Sequence, residues 1–251
     1  MSVKIFGERN TGTNALLQLL KINSESEFHP GTMSELAYYT ARKMAVLQSL
    51  GLKAEKREKM IDKVFEGRPL LQRWKHSATN VTLDELEAIE DARFIFTVRS
   101  PLSWLVGLYK RPYHIQTERS HSLTAFAEAN WIPVKRENLT ADFYKPLDLL
   151  EEKWKSYVNL MQRLECKGIR YKIVKFEDFV VDQYNVFESL KGFVGVPEAS
   201  FRELRQSTKE KNKDSKYYAT YYANEVWRSE YPEIDRVRNT VSGELCSVFG
   251  Y

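Results

Sequence analysis

The sequence predicts an α/β fold with three layers, in which helices flank a central, mainly parallel sheet. Residues 3–20 contain a short apolar strand, a glycine-bracketed loop and a helix that starts near Thr13. A second buried strand, over 93–98, leads into a helix that begins at Ser100-Pro101. Strand and helix patterns also alternate along the rest of the chain. Because parallel strands are joined by helical crossovers, this alternation predicts a parallel sheet with ligands at the carboxyl ends of its strands.

The patterns predict the remaining elements in order. A loop over 23–32 is followed by helices over 34–50 and 53–65, a strand over 69–75, a short helix over 82–89, a long helix over 141–166, a strand over 170–176 and a helix over 181–194. Residues 205–216 are polar and lack periodicity, which is typical of an exposed or ligand-ordered loop.

The composition fits a single domain over residues 1–251. The chain is 43% hydrophobic and 29% charged, which suits one sizeable core. Its net charge of +4 favours an anionic small ligand and is too small for a dedicated nucleic-acid binder. Cys166 and Cys246 form neither a CxxC motif nor a Cys/His cluster, so we expect no disulfide framework and no zinc site. With no signal peptide and no apolar run near the ~18 residues of a membrane span, we expect a cytoplasmic protein. We expect it to be a monomer or a homodimer.

Residues 7–14, GERNTGTN, form a glycine-bracketed loop between the first strand and its helix. Gly7 and Gly12 permit unusual backbone conformations, and the amides at the helix start favour an anion. The glycine spacing reproduces the nucleotide-triphosphate P-loop, but Thr13 and Asn14 replace its lysine and magnesium-binding hydroxyl. That departure favours a donor whose transfer needs no magnesium, such as a sulfuryl donor. The alternative is a tight turn that binds nothing.

Four segments together resemble the sulfotransferases that use 3′-phosphoadenosine-5′-phosphosulfate (PAPS). These segments are the 7–14 loop, Trp74-Lys75-His76, residues 96–107 (FTVRSPLSWLVG) and Phe176-Glu177-Asp178. The resemblance implies a P-loop-like sulfotransferase core, PAPS as co-substrate, adenosine 3′,5′-bisphosphate (PAP) as product, and no metal. It identifies the donor better than the acceptor, because the acceptor half of such enzymes varies.

The resemblance implies that Asn10, Thr11, Gly12, Thr13 and Asn14 bind the 5′-phosphosulfate through backbone and hydroxyl groups, with Arg9 adding a charge. The family usually has Lys or Arg directly before the Ser/Thr-Gly pair, where this chain has Asn10. The alternative for Arg9 is an ion pair with a neighbouring carboxylate.

Arg99 resembles the arginine that binds the 3′-phosphate. Family members commonly have a serine eight residues later, at the position of Gly107. Our hypothesis is that Ser103, one helical turn before Gly107, or a water beside Gly107 takes this role; an ordinary helical serine is the alternative. Lys213 lies where related enzymes have a basic loop over the 3′-phosphate, although such a loop is also typical of a solvated surface.

Lys75 and His76 are the expected catalytic pair, His76 as general base and Lys75 stabilising charge on the bridging oxygen. Adjacent strand residues face opposite ways, so only a strand that ends at Lys75 lets a turn bring both to the donor. A histidine that closes the strand by bonding a loop is the rival interpretation. Glu8, His29 and His114 are reserve bases.

We therefore predict transfer of a sulfuryl group from PAPS to a hydroxyl or amine of a small-molecule or carbohydrate acceptor. Two alternatives stay open. A small-molecule kinase or NTPase would require ATP and magnesium, and a non-catalytic nucleotide-binding module would bind PAP without transfer.

Overall fold

A four-stranded parallel sheet forms the centre of the fold, in a computed structural model that describes residues 2–112, 120–195, 201–206 and 213–251. The strands are β1 (Ser2–Gly7), β2 (Glu27–Phe28), β3 (Ala92–Val98) and β4 (Tyr171–Lys175), in the spatial order β2-β1-β3-β4. All three pairs are parallel, and Phe94 of β3 is in register with Lys4 of β1 and Tyr171 of β4. The α/β class with a parallel sheet is therefore confirmed.

Helices cover both faces of the sheet. They are α1 (Thr13–Asn23), α2 (Met33–Leu36), α3 (Tyr38–Ser49), α4 (Ala54–Phe65), α5 (Leu83–Glu87), α6 (Pro101–Lys110), α7 (Leu123–Glu128), α8 (Pro146–Cys166), α9 (Phe176–Val181), α10 (Gln183–Val194), α11 (Ser215–Ala223), α12 (Val226–Glu230) and α13 (Gly243–Val248).

Alternation along β1 creates the three layers. Val3 and Ile5 point to one face, where α1 and α10 supply Leu16, Leu19 and Leu190. Phe6 points to the other face, into a larger core that includes Trp104 of α6 and Trp154 of α8. Burial of these apolar faces drives the packing of the helices onto the sheet.

The predicted strand over 69–75 is wrong. A 3₁₀ turn, Leu70–Gln72, stands there, and the chain then crosses the end of β1. The Lys75 amide donates to the Gly31 carbonyl at 3.1 Å, and the Lys75 carbonyl accepts from the Gly7 amide at 2.9 Å. These isolated bonds tie the segment to the 7–14 loop without extending the sheet. Strand β2, in turn, lies within the predicted loop over 23–32.

The other elements differ mainly at their ends. The predicted helix over 34–50 is divided at Ala37 into α2 and α3, and the one over 181–194 begins only at Gln183, after α9. The long helix begins at Pro146, because proline suits a first helical turn. Within the described ranges, none of the helices is both long and apolar enough to cross a bilayer.

Candidate active site

A cleft of about 420 Å³ opens at the carboxyl ends of β1, β3 and β4. Each of these strands leads into a lining segment: β1 into the 7–14 loop, β3 into Arg99 and helix α6, and β4 into helix α9. The 74–76 turn and α11 contribute further walls. Most of the predicted site residues line this cleft, namely Arg9, Asn10, Gly12, Thr13, Asn14, Lys75, His76, Arg99, Gly107 and Lys213.

The 7–14 loop needs its glycines. A Cβ on Gly7 would lie 1.9 Å from Thr97 Oγ1, and Gly12 has a left-handed backbone with φ of 79°. The first bond of α1 runs from the Leu16 amide to the Gly12 carbonyl at 2.9 Å. The amides of Thr13, Asn14 and Ala15 therefore precede the helical ladder, at the positive end of the helix dipole and beside the cleft.

Thr11 makes its hydrogen bonds within the loop, and its predicted contact with the donor stays a prediction. Its Oγ1 donates to the Glu8 carbonyl at 2.5 Å and lies 2.8 Å from Thr97 Oγ1, while its amide donates to the same carbonyl at 3.2 Å. The side chain is buried and lies outside the cleft lining. Thr11 thus closes the loop internally, because both of its donors are already engaged.

Arg9 belongs to a buried cluster of four charges behind the loop. Its Nη1 donates to Glu8 Oε1 at 2.7 Å and to Glu137 Oε1 at 2.6 Å. Lys153 Nζ donates to Glu8 Oε2, to Glu137 Oε1 at 2.7 Å and to the His76 carbonyl at 2.9 Å. The two positive charges of Arg9 and Lys153 therefore balance the two negative charges of Glu8 and Glu137. Although burial alone would raise it, the neighbouring Arg9 and Lys153 hold the pKa of Glu137 well below its usual range.

This cluster favours the alternative interpretation of Arg9, in which it pairs with neighbouring carboxylates. The guanidinium also stacks on Trp74, 4.7 Å from the ring centroid, and on Trp131 at 5.6 Å. Its charge is neutralised inside the fold. Glu8, one of the reserve bases, is fully buried between the same two cations, which leaves it no access to an acceptor.

Arg99 is equally buried, but neutral groups surround it. Its Nε donates to Ser103 Oγ at 2.9 Å, its Nη1 to the Asn10 carbonyl at 2.9 Å and its Nη2 to Tyr222 Oη at 3.0 Å. The rings of Phe176 and Tyr222 lie 4.5 and 5.0 Å from its central carbon. Over the ranges that the structure describes, Arg99 makes no ion pair within 4.0 Å. A positive charge thus remains at the cleft.

Gly107 and Ser103 both support Arg99 from helix α6. A Cβ on Gly107 would lie 2.7 Å from Arg99 Nη1, so the glycine gives the guanidinium its place against the helix. Ser103 is buried, lies outside the cleft lining and accepts from Nε. It therefore holds the arginine, and its proposed contact with the 3′-phosphate stays a prediction. Lys213 does line the cleft, with Nζ 4.7 Å from the Tyr217 ring centroid.

The turn at 74–76 brings both Lys75 and His76 to the cleft, as the alternative with an interrupted strand requires. Lys75 Nζ donates to Asn14 Oδ1 at the start of α1. His76 Nδ1 lies 2.5 Å from the Gly7 carbonyl, which can only accept, so Nδ1 carries the proton and Nε2 is the ring's acceptor. Burial, with Lys75 and Arg9 close by, lowers the pKa of His76 well below its usual value. The imidazole is therefore neutral.

Of the two other reserve bases, the structure describes only His29, and it lies outside the cleft lining. His29 lies at the opposite end of β1, where its Nε2 contacts Ser2 Oγ at 2.8 Å. His114, like Lys209 and Lys211 of the basic loop, lies outside the described residues. Among the described residues, no three His, Cys, Asp or Glu side chains lie together in a group that could hold a metal ion.

Sequence reasoning missed several residues at the site. Lys153 carries a readable signal, because it falls on the buried face of α8 with Leu149, Leu150 and Trp154. Glu137 ends a short 3₁₀ turn, Lys135–Glu137, and carries no such signal. Tyr222 and Phe176 resemble ordinary aromatic core residues in the sequence, and only the fold shows that they enclose Arg99.

No family model matches this chain, and none of the curated proteins does. Among solved structures, the chain is similar to the sulfotransferase domain from the curacin biosynthetic pathway, with a TM-score of 0.51 and 13% identity over 99% of this chain and 97% of that one. The sulfotransferase domain of the Synechococcus PCC 7002 olefin synthase aligns with a TM-score of 0.49 and 15% identity, over 100% and 95% of the two chains. The first similarity shows that this chain has the fold of a sulfotransferase domain.

Proposed function

We propose that this protein is a PAPS-dependent sulfotransferase that acts on a hydroxyl or amine of a small-molecule or carbohydrate acceptor. One observation carries the proposal. Arg99 is a buried guanidinium with no carboxylate partner among the described residues, and it faces the same cleft as the α1 amides and a neutral histidine. Such a cleft suits a ligand with anionic groups at two points and a reaction that removes a proton.

The residues fit PAPS at both of its anionic ends. The amides of Thr13, Asn14 and Ala15 would hold the 5′-phosphosulfate, and the Arg99 fork would hold the 3′-phosphate. Arg99 Nη2 now donates to Tyr222 Oη, a neutral acceptor that a phosphate oxygen can replace with a stronger, charge-assisted bond. When bound, PAPS supplies the sulfuryl group that the acceptor receives.

His76 and Lys75 would assist the transfer. The acceptor hydroxyl or amine would lose its proton to His76 Nε2 while its oxygen or nitrogen bonds to sulfur, because Nδ1 is fixed as a donor by Gly7. Lys75 Nζ, held against Asn14 at the helix start, would offset the negative charge that develops on the departing nucleotide oxygen.

The test is transfer of labelled PAPS to a panel of hydroxylated and amino metabolites and oligosaccharides, with mass detection of the added sulfuryl group. His76→Ala should lower turnover roughly 100-fold or more. His29→Ala is the matched control, since His29 lies at the far end of β1, and it should leave turnover unchanged. A near-normal rate in His76→Ala would refute the role of His76.

The same preparation separates the alternatives. A kinase or NTPase would bind ATP with magnesium in preference to PAP, and would be inactive with PAPS. A nucleotide-binding module would bind PAP in calorimetry yet transfer nothing to any acceptor, so the transfer assay is the decisive measurement.

A further inference from the structure

The net charge of the chain is concentrated in one segment. Residues 38–68 contain eight Lys and Arg residues and four Asp and Glu residues, an excess that equals the net charge of +4 for the whole chain. The remainder of the chain is balanced. This segment comprises α3, α4 and their flanking turns, and α3 itself contains no acidic residue.

Helix α3 also carries an apolar stripe that faces solvent. Tyr39, Val46 and Leu50 are 84%, 59% and 77% exposed. Their separations of seven and four residues place them on one side of the helix, while Met44, the buried residue of α3, lies on the other. Arg42 and Lys43 flank the stripe, so apolar tips and cations share one convex surface. We call Tyr39, Arg42, Lys43, Val46 and Leu50 the α3 face.

We propose that the α3 face docks on an anionic phospholipid bilayer surface. A helix with aromatic and aliphatic tips between basic side chains lies in the plane of a membrane interface, where the tips enter the acyl boundary and the cations meet lipid phosphates. The long stems of Arg42 and Lys43 can follow the apolar surface while their charged heads reach the phosphates. Charge complementarity favours this occupant, because Arg42 and Lys43 on the face, within a segment of net positive charge, suit an anionic partner.

A second copy of the chain fits less well. A symmetric dimer through this face would bring the Arg42 and Lys43 side chains of both copies together, and like charges in an interface are repulsive. The exposed apolar side chains of the face come from a single short segment, Tyr39 to Leu50, whereas protein hot spots are seated in well-packed pockets.

The α3 face lies a short distance along the chain from the cleft. Thr32 lines the cleft and caps α2, and α3 follows one residue after α2 ends. The proposal itself goes beyond the sulfuryl-transfer chemistry and stands whether or not the protein uses PAPS.

Co-sedimentation with sucrose-loaded vesicles tests the proposal. Wild-type protein should pellet with vesicles of phosphatidylcholine mixed with phosphatidylglycerol, stay in the supernatant with phosphatidylcholine alone, and be released by salt. The Tyr39→Ser/Val46→Ser/Leu50→Ser variant should partition at least about tenfold more weakly, because membrane affinity scales with buried apolar area. Arg42→Ser/Lys43→Ser should also weaken binding to the anionic vesicles.

The matched control is Leu83→Ser/Phe143→Ser/Val248→Ser, which removes three exposed apolar side chains elsewhere and should pellet like wild type. Circular dichroism and thermal unfolding check that every variant is folded. Wild type that ignores anionic vesicles, or an α3-face variant that pellets normally, would overturn the proposal. A dimer in light scattering that the α3-face variant abolishes, with no vesicle binding, would assign the face to a second copy and equally overturn it.

Discussion

The two buried arginines of the cleft, Arg9 and Arg99, have similar surroundings but differ in whether carboxylates pair with them. Each is 3% exposed, and each guanidinium lies between two aromatic rings. Arg9 is paired with Glu8 and Glu137, whereas Arg99 donates, among the residues that the structure describes, to a hydroxyl, a carbonyl and a phenol. The charge of Arg9 is therefore balanced inside the fold, and under the proposed function that of Arg99 would meet an anionic ligand.

A comparison with Lys4 shows why an arginine suits position 99 better than a lysine. Lys4 is another fully buried cation, and its Nζ donates to the carbonyls of Pro30 at 2.5 Å and Arg73 at 2.7 Å. Burial lowers the pKa of Lys4 to about 7, opposed by Glu35 and assisted by Lys75. A buried lysine can thus give up its charge, whereas a guanidinium stays protonated. An arginine is therefore suited to supply a buried positive charge without a carboxylate partner.

The largest effect is expected on the Arg9 side of the comparison. Arg9→Met leaves Glu8 and Glu137 buried with Lys153 as their one cation, and should lower the free energy of unfolding by about 3–5 kcal/mol. Urea denaturation measures this loss. Arg9→Met/Glu137→Gln restores charge balance and should recover part of it. If Arg9→Met instead keeps its stability and loses nucleotide binding, the roles assigned to the two arginines are reversed.

Arg99→Met should weaken nucleotide binding and leave the protein folded, the reverse of the effect expected for Arg9→Met. We expect the variant to fold and to bind PAP at least about 100-fold more weakly, because a buried fork on a phosphate is among the strong charge-assisted contacts. Isothermal titration calorimetry measures the affinity. Arg170→Met is the control, since it removes one exposed positive charge just before β4, at the end of the sheet away from the cleft. Equal losses in both variants would mean that net charge, and not the Arg99 fork, governs binding.

Lys4 gives a pH dependence that neither arginine can show. Its pKa is depressed from 10.5 to about 7 in the folded protein, so the unfolded chain binds more protons between these values and stability rises with pH. From pH 7 to pH 9 the rise from this group should be about 2 kcal/mol. Denaturation of wild type and Lys4→Met at several pH values isolates this contribution. Parallel pH curves for the two proteins would show that Lys4 stays charged.

Much of the fold was predictable because its signals are local. The loop from Gly7 to Gly12 and the Ser100-Pro101 helix start each follow from a few neighbouring residues, and the structure places both where the sequence indicates. The strand over 69–75 was wrong because its apolar residues turn into the core through a 3₁₀ turn, an outcome set by tertiary contacts with Gly31 and Gly7.

The site was predictable only in part, for the same reason. Position in the chain indicated that Arg9 and Arg99 are both candidates for donor contacts. Their difference depends on Glu137 and Lys153, which lie more than a hundred residues from Arg9 in the chain. Glu137 ends a short turn before α8 and Lys153 lies on α8, so both join the cluster only when the chain has folded. No local pattern distinguishes an arginine that will meet a distant carboxylate from one that will not.

The smallest expected effect tests how closely Arg99 depends on its glycine. Gly107→Ala places a Cβ 2.7 Å from Arg99 Nη1, so the guanidinium must shift and PAP affinity should fall about tenfold. Gly192→Ala in α10 is the matched control, because nothing lies within 4 Å of its Cβ and alanine favours a helix. Calorimetry with PAP compares the two. Tighter binding by Gly107→Ser would mean that a hydroxyl at this position assists the phosphate directly, and that the present place of Arg99 against α6 is not the one that binding requires.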